Sequence, residues 1–204
     1  MVREVRYDEV FDAQRHFRSV LDSVARPGKI NRLHSVELEP PSGLNAASVL
    51  VAFTLMDATS TFHAVHMDRG ESGYLALNTG ARWTEIGDAQ FLFAAGEETP
   101  EFLDSANCGD LIYPDTAATV ILQIADASTT PLASGLTLAL EGPGIDGTAM
   151  LFVRGLSADL LLALQARNAE FPLGLDSILT FADGAGCPCV AALPRTARVS
   201  WEDC

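Results

Sequence analysis

The chain has 204 residues and a mass of 21.7 kDa, enough for one domain with a sizeable core. Hydrophobic residues make up 48% and charged residues 20%, proportions that exclude a disordered chain and a disulfide-stapled miniprotein. The formal net charge of −14 argues against nucleic-acid binding, because such proteins need basic surface to displace counterions from phosphates.

The charge is unevenly distributed along the chain. Residues 1–34 carry seven basic side chains against five acidic ones, a net of +2, which leaves −16 for the rest. The N-terminal segment is therefore the first place where an anion would dock. Of the 13 basic residues only Lys29 is a lysine, so any chemistry that needs a lysine has one candidate.

The sequence also predicts a cellular compartment. The first residues lack the apolar core of a signal peptide, and no stretch approaches 18 uninterrupted apolar residues. We therefore expect a cytoplasmic protein without membrane contact. The four cysteines, Cys108, Cys187, Cys189 and Cys204, are expected to be free thiols.

The first half of the chain alternates helical and strand patterns. Residues 7–26 form the stripe of an amphipathic helix that Pro27-Gly28 ends, and residues 42–56 form a buried helix capped by Ser42 or Asn45. Residues 61–67 and 89–95 are predicted strands, with helix or irregular structure over 75–86 between them. Thr99-Pro100 begins a short helix that runs to residue 107. The stripe of the first helix consists of Val10, Phe17, Leu21 and Val24, with Phe11 and Val20 beside them.

The second half contains more strands than helices. Residues 118–125 predict a central strand covered on both faces, because the run is nearly all apolar and contains β-branched residues. Strands over 136–140 and 150–153 are joined through a turn at residues 141–144, Ser157 caps a helix to about residue 169, and strands follow over 177–182 and 189–193. The whole chain, 1–204, is therefore predicted to be one α/β domain, a mixed β-sheet flanked by helices.

Histidines and cysteines do not form a recognisable metal motif. His63 and His66 are three apart on a predicted strand, so their side chains are expected on opposite faces. Cys187-Pro188-Cys189 has only Cys204 as a further thiol, and the fourth ligand of a zinc site is missing. We predict no metal and favour a turn with incidental thiols, although the role of Cys187 and Cys189 stays open.

Several turn motifs carry charge or glycine. The glycines at 142 and 144 lack the lysine and Ser/Thr of a phosphate loop, and no nucleophile elbow is present, so no catalytic residue is predicted. Arg26 and Lys29 follow a helix, where cations can complement the helix dipole or hold an anion. Asp176 can cap its own turn or make an external contact. The candidate anion or partner contacts are Arg26, Gly28, Lys29, Asp176 and Arg195, and the turn motifs are Pro27, Gly142, Pro143, Gly144, Pro172 and Gly174.

Five segments in this order carry a family resemblance. They resemble the PhnH family, the H subunit of the bacterial carbon–phosphorus lyase system, and they span nearly the whole chain. Each motif is weak alone, and their order and spacing make the set specific. The segments are 17–29 (FRSVLDSVARPGK), 113–120 (YPDTAATV), 140–145 (LEGPGI), 171–176 (FPLGLD) and 193–196 (LPRT).

The resemblance implies an accessory, non-catalytic subunit in the breakdown of organic phosphonates. That subunit supports formation of ribose 1-phosphonate 5-triphosphate from ATP and a phosphonate, forms a homodimer and assembles with the G, I and J subunits. Its fold is similar to the large domain of transferases that use pyridoxal phosphate, without that cofactor. Lys29 agrees, because a lysine that forms a Schiff base faces the cofactor rather than following the first helix. The alternative is an independent nucleotide- or small-anion-binding protein or enzyme with an arginine-based site.

Overall fold

The structure is a computed structural model that describes residues 7–203, so Arg3, Arg6 and Cys204 lie outside it. Its helices are α1 (Phe11–Ala25), α2 (Ala46–Leu55), α3 (Arg69–Thr79) and α4 (Ala158–Arg167), with short 3₁₀ helices at Ile86–Asp88, Pro100–Ser105 and Pro114–Thr116. Its strands are β1 (Asn31–Arg32), β2 (Thr61–Ala64), β3 (Arg82–Trp83), β4 (Phe91–Ala95), β5 (Thr119–Gln123), β6 (Asp126–Ser128), β7 (Leu136–Glu141), β8 (Ala149–Arg154), β9 (Asp176–Ala182), β10 (Pro188–Leu193) and β11 (Arg198–Asp203).

These strands form two sheets. The larger has the order β1-β10-β9-β5-β4-β2-β3, parallel from β9 to β3 and antiparallel where β10 and β1 are added. The smaller is antiparallel, in the order β11-β7-β8-β6. None of the helices within residues 7–203 is long and apolar enough to cross a membrane.

The larger sheet is covered on both faces. Side chains alternate along β5, so Ile121 joins the core under α2 and α3, whereas Val120 and Leu122 join the core shared with β7, β8 and α4. This is why residues 118–125 are apolar without interruption by charge. The α/β prediction with a mixed sheet is confirmed, and one face is covered by a second sheet together with α4.

Most predicted elements are confirmed, with boundary changes. Asn45 caps α2 by accepting from the Ser48 N–H at 2.8 Å, and β7 and β8 pair around the predicted turn. Residues 75–86 divide between the end of α3 and the short β3. Strand β2 ends at Ala64 rather than residue 67, because the chain turns at Val65 and His66.

The first helix is confirmed, but its apolar stripe does not face the core. An amphipathic helix ordinarily buries such a stripe. In α1 the buried residues are instead His16, Val20 and Ser23, whereas Phe17 and Leu21 are exposed. The two buried polar side chains are hydrogen-bonded, as buried polar groups must be.

Candidate functional site

The turn motifs converge at one end of the molecule. A groove of about 440 Å³ lies where β5 and β9 begin, and every segment that carries the family resemblance contributes to its wall. These segments lie far apart in sequence and meet because parallel strands begin at the same edge of a sheet. The lining residues are Val24, Ala25, Pro114, Asp115, Pro143, Gly144, Phe171, Pro172, Asp176, Pro194, Arg195 and Thr196.

Arg195 holds three of these segments together. Its Nε and Nη2 donate to one Asp176 carboxylate oxygen at 3.1 and 2.8 Å, and its Nη1 donates to the carbonyls of Pro114 and Pro172 at 2.9 and 3.2 Å. The Arg195 N–H donates to the other Asp176 oxygen at 2.8 Å. Four of the five guanidinium N–H donors are thereby used within the protein. Asp176 thus binds Arg195 across the groove wall, where sequence reasoning had it capping its own turn or making an external contact.

The 141–144 turn packs against the end of α1. Gly144 has a φ of +82°, and a Cβ there would overlap the carbonyl oxygen of Ala25. Gly28 has a φ of +87°, and a Cβ there would lie only 3.0 Å from the Cβ of Ala149. Both positions therefore require glycine, for the left-handed backbone and for the close approach. The turn prediction for Pro27, Gly142 and Pro143 fits this packing.

Arg26 and Lys29 both form ion pairs with the Asp22 carboxylate. Asp22 accepts from the Arg26 guanidinium, and the Lys29 ammonium lies 2.6 Å from its other oxygen. The pKa of Asp22 lies below its usual value, chiefly because Lys29 donates a hydrogen bond to the carboxylate. A hydrogen bond from Asn31 and the positive charge of Arg26 lower it further. Both cationic side chains stay about half exposed, so each keeps N–H donors directed at solvent.

The Pro172-to-Asp176 turn is held by a residue that sequence reasoning missed. Asn168, which follows α4, accepts from the Leu175 N–H at 2.7 Å and donates to the Leu175 carbonyl at 3.2 Å. The Phe171–Pro172 peptide bond is cis. The Gly174 N–H donates to the Cys108 carbonyl at 3.0 Å. An asparagine directly after a helix was the signal available in the sequence, because asparagine favours such C-terminal positions.

A second pocket, of about 510 Å³, lies near the carboxyl end of β2. It is lined by His63, His66, Arg69 and Trp83, among others. His63 donates through Nδ1 to the Thr84 carbonyl at 2.7 Å, and His66, at a φ of +50°, pairs with Glu98 at 3.0 Å. The prediction that the two imidazoles diverge rested on a longer strand; because β2 ends early, both line one pocket.

Cys187 lies in the β9–β10 turn, whereas Cys189 is buried in β10, so the predicted turn holds only one of the two thiols. Asp183 accepts from the Ala185 and Cys187 N–H groups at 2.9 and 3.0 Å and pairs with Arg32. Burial raises the pKa of the Cys189 thiol. Among residues 7–203 there is no group of three or more His, Cys, Asp or Glu side chains that could hold a metal ion.

Comparison with known proteins identifies the family. The sequence profile described as "Bacterial phosphonate metabolism protein (PhnH)" matches residues 6–200. The chain belongs to the PhnH family. It is similar to the α-D-ribose 1-methylphosphonate 5-triphosphate synthase subunit PhnH of Rhizobium meliloti (strain 1021), 36% identical over 96% of this chain and 94% of the relative. It is also similar to HtxG of Stutzerimonas stutzeri, a protein provisionally named as a C-P lyase subunit, 28% identical over 92% and 85%.

The groove is built from segments that the PhnH family match covers. The matched residues include all five segments that form its wall, and the family resemblance stated from the sequence is confirmed. Of the predicted contacts, the structure brings Asp176 and Arg195 together in the groove wall. Arg26, Gly28 and Lys29 do not line the groove: Arg26 and Lys29 pair with Asp22, and Gly28 packs against Leu140 and Ala149. The structure also places His63 and Cys189 elsewhere, outside the groove.

Proposed function

We propose that this chain is an accessory subunit of the carbon–phosphorus lyase core complex. In that role it supports formation of ribose 1-phosphonate 5-triphosphate from ATP and a phosphonate, and it supplies no catalytic residue. The similarity to a synthase subunit over nearly the full length of both chains supports the role. The single observation that carries it is the convergence of all five family segments on one groove.

The partners belong to the same proposal. The chain forms a homodimer in the cytoplasm and joins the G, I and J subunits of the complex. Two relatives whose names describe them as subunits support assembly with other chains. A chain of net charge −14 is also poorly suited to bind a triphosphate over most of its surface, which favours placing the chemistry on a partner.

The predicted contacts divide into two kinds. Arg195 has most of its donors committed to Asp176 and two carbonyls, so its role in the proposal is to hold the groove in shape. Arg26 and Lys29 keep solvent-facing donors at the end of α1, so they are the proposed contacts to an anion or to a partner carboxylate. Gly28 lets the chain turn there.

The proposal includes a transferase-like fold that works without pyridoxal phosphate. A mostly parallel sheet with helices on one face supports the likeness to the large domain of those transferases. Lys29 pairs with Asp22 in the turn after α1 and is the only lysine of the chain. Titration with pyridoxal phosphate should give no aldimine absorbance; an aldimine band that Lys29→Arg removes would overturn this part.

Reconstitution tests the role. We expect the G, I and J subunits to need this chain for full synthase activity on ATP and methylphosphonate, and Arg26→Ala to lower that activity with assembly intact. If Arg26→Ala abolishes assembly instead, Arg26 is an interface residue. An assembly that forms and reacts fully without this chain would contradict the proposal. Calorimetry of the isolated chain with ATP and with methylphosphonate should show no heat, and a saturable signal would favour an independent binding protein.

A further inference from the structure

A further cavity, of about 540 Å³, lies between α4 and the turn at 194–197 that joins β10 to β11. Its size suits an organic small molecule, since sites for such molecules usually enclose roughly 300–1,000 Å³. Helix α4 forms one wall, and Val199 on β11 lies in the other. Gln165 joins the two walls, because its Nε2 donates to the Val199 carbonyl at 3.3 Å.

The inner part of this cavity is apolar. Leu161 and Leu164 of α4 and Leu193 of β10 line it, and all three are buried members of the core shared with the smaller sheet. Pro194 is also buried there. The cavity is therefore an opening from solvent toward that core, and its walls favour the apolar part of a ligand.

One buried polar group lines the cavity without a partner. Ser177 on β9 is 2% exposed, and its hydroxyl makes no hydrogen bond with any residue from 7 to 203. Along β9 it shares a face with Leu179 and Phe181, which belong to the apolar core. A buried hydroxyl is ordinarily hydrogen-bonded, because leaving it unpaired costs free energy. A molecule in the cavity would supply the missing partner.

The charges around the cavity nearly cancel. Of the described residues that line it, only Arg195 and Arg198 are charged. Arg195 is paired with Asp176, and Arg198 is exposed directly opposite Glu141 in the β11–β7 pair. Glu170 is exposed nearby and does not line the cavity. A charged group placed against Ser177 would thus lose its hydration without gaining an unengaged partner of opposite charge.

We propose that this cavity binds an uncharged, mainly apolar small molecule with one hydroxyl or carbonyl oxygen hydrogen-bonded to Ser177 Oγ. The leucine walls hold the apolar body, and Ser177 orients the oxygen. The proposal goes beyond the proposed function and does not depend on it, since ATP and phosphonates are charged. The cavity shares Pro143, Phe171 and Pro194 with the groove, so the bound molecule contacts the groove wall.

Titration of the purified full chain with octan-1-ol tests the proposal. We expect saturable shifts of the methyl resonances of Leu161, Leu164 and Leu193, and none for Leu77, which is exposed on α3. Octanoate and octylammonium have the same chain and an ionised head at about pH 8. Both should bind at least about tenfold more weakly, because the charge must be desolvated.

Removal of the hydroxyl tests the role of Ser177. Ser177→Ala should weaken binding of octan-1-ol about fivefold, the usual effect of one neutral hydrogen bond. The matched control is Ser200→Ala, on the exposed side of β11 and outside the cavity, which should bind within about twofold of wild type. Without alcohol, Ser177→Ala should unfold at the same or a higher urea concentration than wild type, because it removes an unpaired buried group. A lower concentration would show that the hydroxyl already has a partner.

A bulky side chain tests the location. Ala169 is exposed and lines the cavity just after α4, so Ala169→Trp should block entry and weaken binding of octan-1-ol at least about tenfold. The matched control is Ala166→Trp, exposed on α4 outside the cavity. Because both alanines are exposed, this pair tests the cavity even if Ser177→Ala alters the fold.

Three outcomes would overturn the proposal. Absence of any saturable shift with octan-1-ol would mean that the cavity holds no such molecule. Equal or tighter binding of octanoate would mean that it selects an anion. Unchanged affinity in both Ser177→Ala and Ala169→Trp would place the alcohol elsewhere. None of these results bears on the proposed function, which the reconstitution experiment decides.

Discussion

The two faces of the seven-stranded sheet are covered by different kinds of buried side chain. Toward the helices, the buried residues include hydrogen-bonded polar ones, among them His16, Ser23 and Ser48. Toward the smaller sheet, the core is made almost entirely of aliphatic residues such as Leu138 and Leu151. Both faces bury apolar side chains, and the helical face adds hydrogen bonds, which have direction where apolar contacts have little. This explains how α1 can dock firmly with its apolar stripe outside.

The largest expected effect is a cavity on the apolar face. Leu138 is fully buried in β7, between β8 and β11. Leu138→Ala should lower the free energy of unfolding by about 3 kcal/mol, because the lost methyl groups leave a cavity that the sheet cannot close. Urea unfolding measures it, with Leu162→Ala, on the exposed side of α4, as a control expected to cost about 0.5 kcal/mol or less. Equal losses for the two variants would show that this face is not close-packed.

A smaller effect is expected for the buried hydroxyl pair of the helical face. Ser48 Oγ and Thr180 Oγ1 are 2.7 Å apart, and Thr180 also donates to the Leu122 carbonyl at 3.2 Å. Thr180→Val should cost about 1–2 kcal/mol of unfolding free energy, because it leaves the Ser48 hydroxyl without its partner.

The double variant sharpens this test. Ser48→Ala combined with Thr180→Val should cost less than the sum of the two single changes, because both unpaired groups are removed together. Urea unfolding of all four proteins completes the cycle. Strict additivity would mean that the two hydroxyls do not interact and that the helical face does not depend on this bond.

The sequence predicted the faces of the sheet better than the face of the first helix. The apolar run 118–125, with its β-branched residues, predicted a strand with two covered faces, and β5 is that strand. For α1 the period was right and the buried side was wrong, since His16 and Ser23 find carbonyl partners on distant segments that no local pattern reveals. Short strands such as β3 also depend on neighbours more than on their own two residues.

In the candidate site, too, the sequence predicted the local turns but not the contacts between distant segments. Gly28, Gly144 and the Pro172-Gly174 turn could be recognised as turns from their residues, and the structure adds that they meet. The ion pair of Asp176 with Arg195 joins residues 19 apart. That pairing depends on β9 and β10 being antiparallel neighbours, which sequence periodicity does not determine.

The smallest predicted effect is a pH dependence of the unfolding free energy, which comes from His16 on the helical face of the sheet. Burial lowers the pKa of His16, despite the opposing bond to the His34 carbonyl. The unfolded chain, with a histidine pKa near 6.5, therefore binds more protons than the folded protein as the pH falls below about 6.5. Unfolding free energy should consequently be fully present above that pH and should decrease as the solution is acidified toward the lower folded pKa.

Replacement of the imidazole isolates this contribution. His16→Gln keeps an amide donor for the His34 carbonyl and removes the titrating group. At pH 8 it should cost about 1 kcal/mol, the usual worth of one imperfectly replaced hydrogen bond. The cost should shrink at pH 5, because only the wild-type protein loses stability by having to keep a buried imidazole neutral. Parallel pH profiles for the two proteins would show that His16 is not the source, and that the polar face of α1 holds the helix without responding to acid.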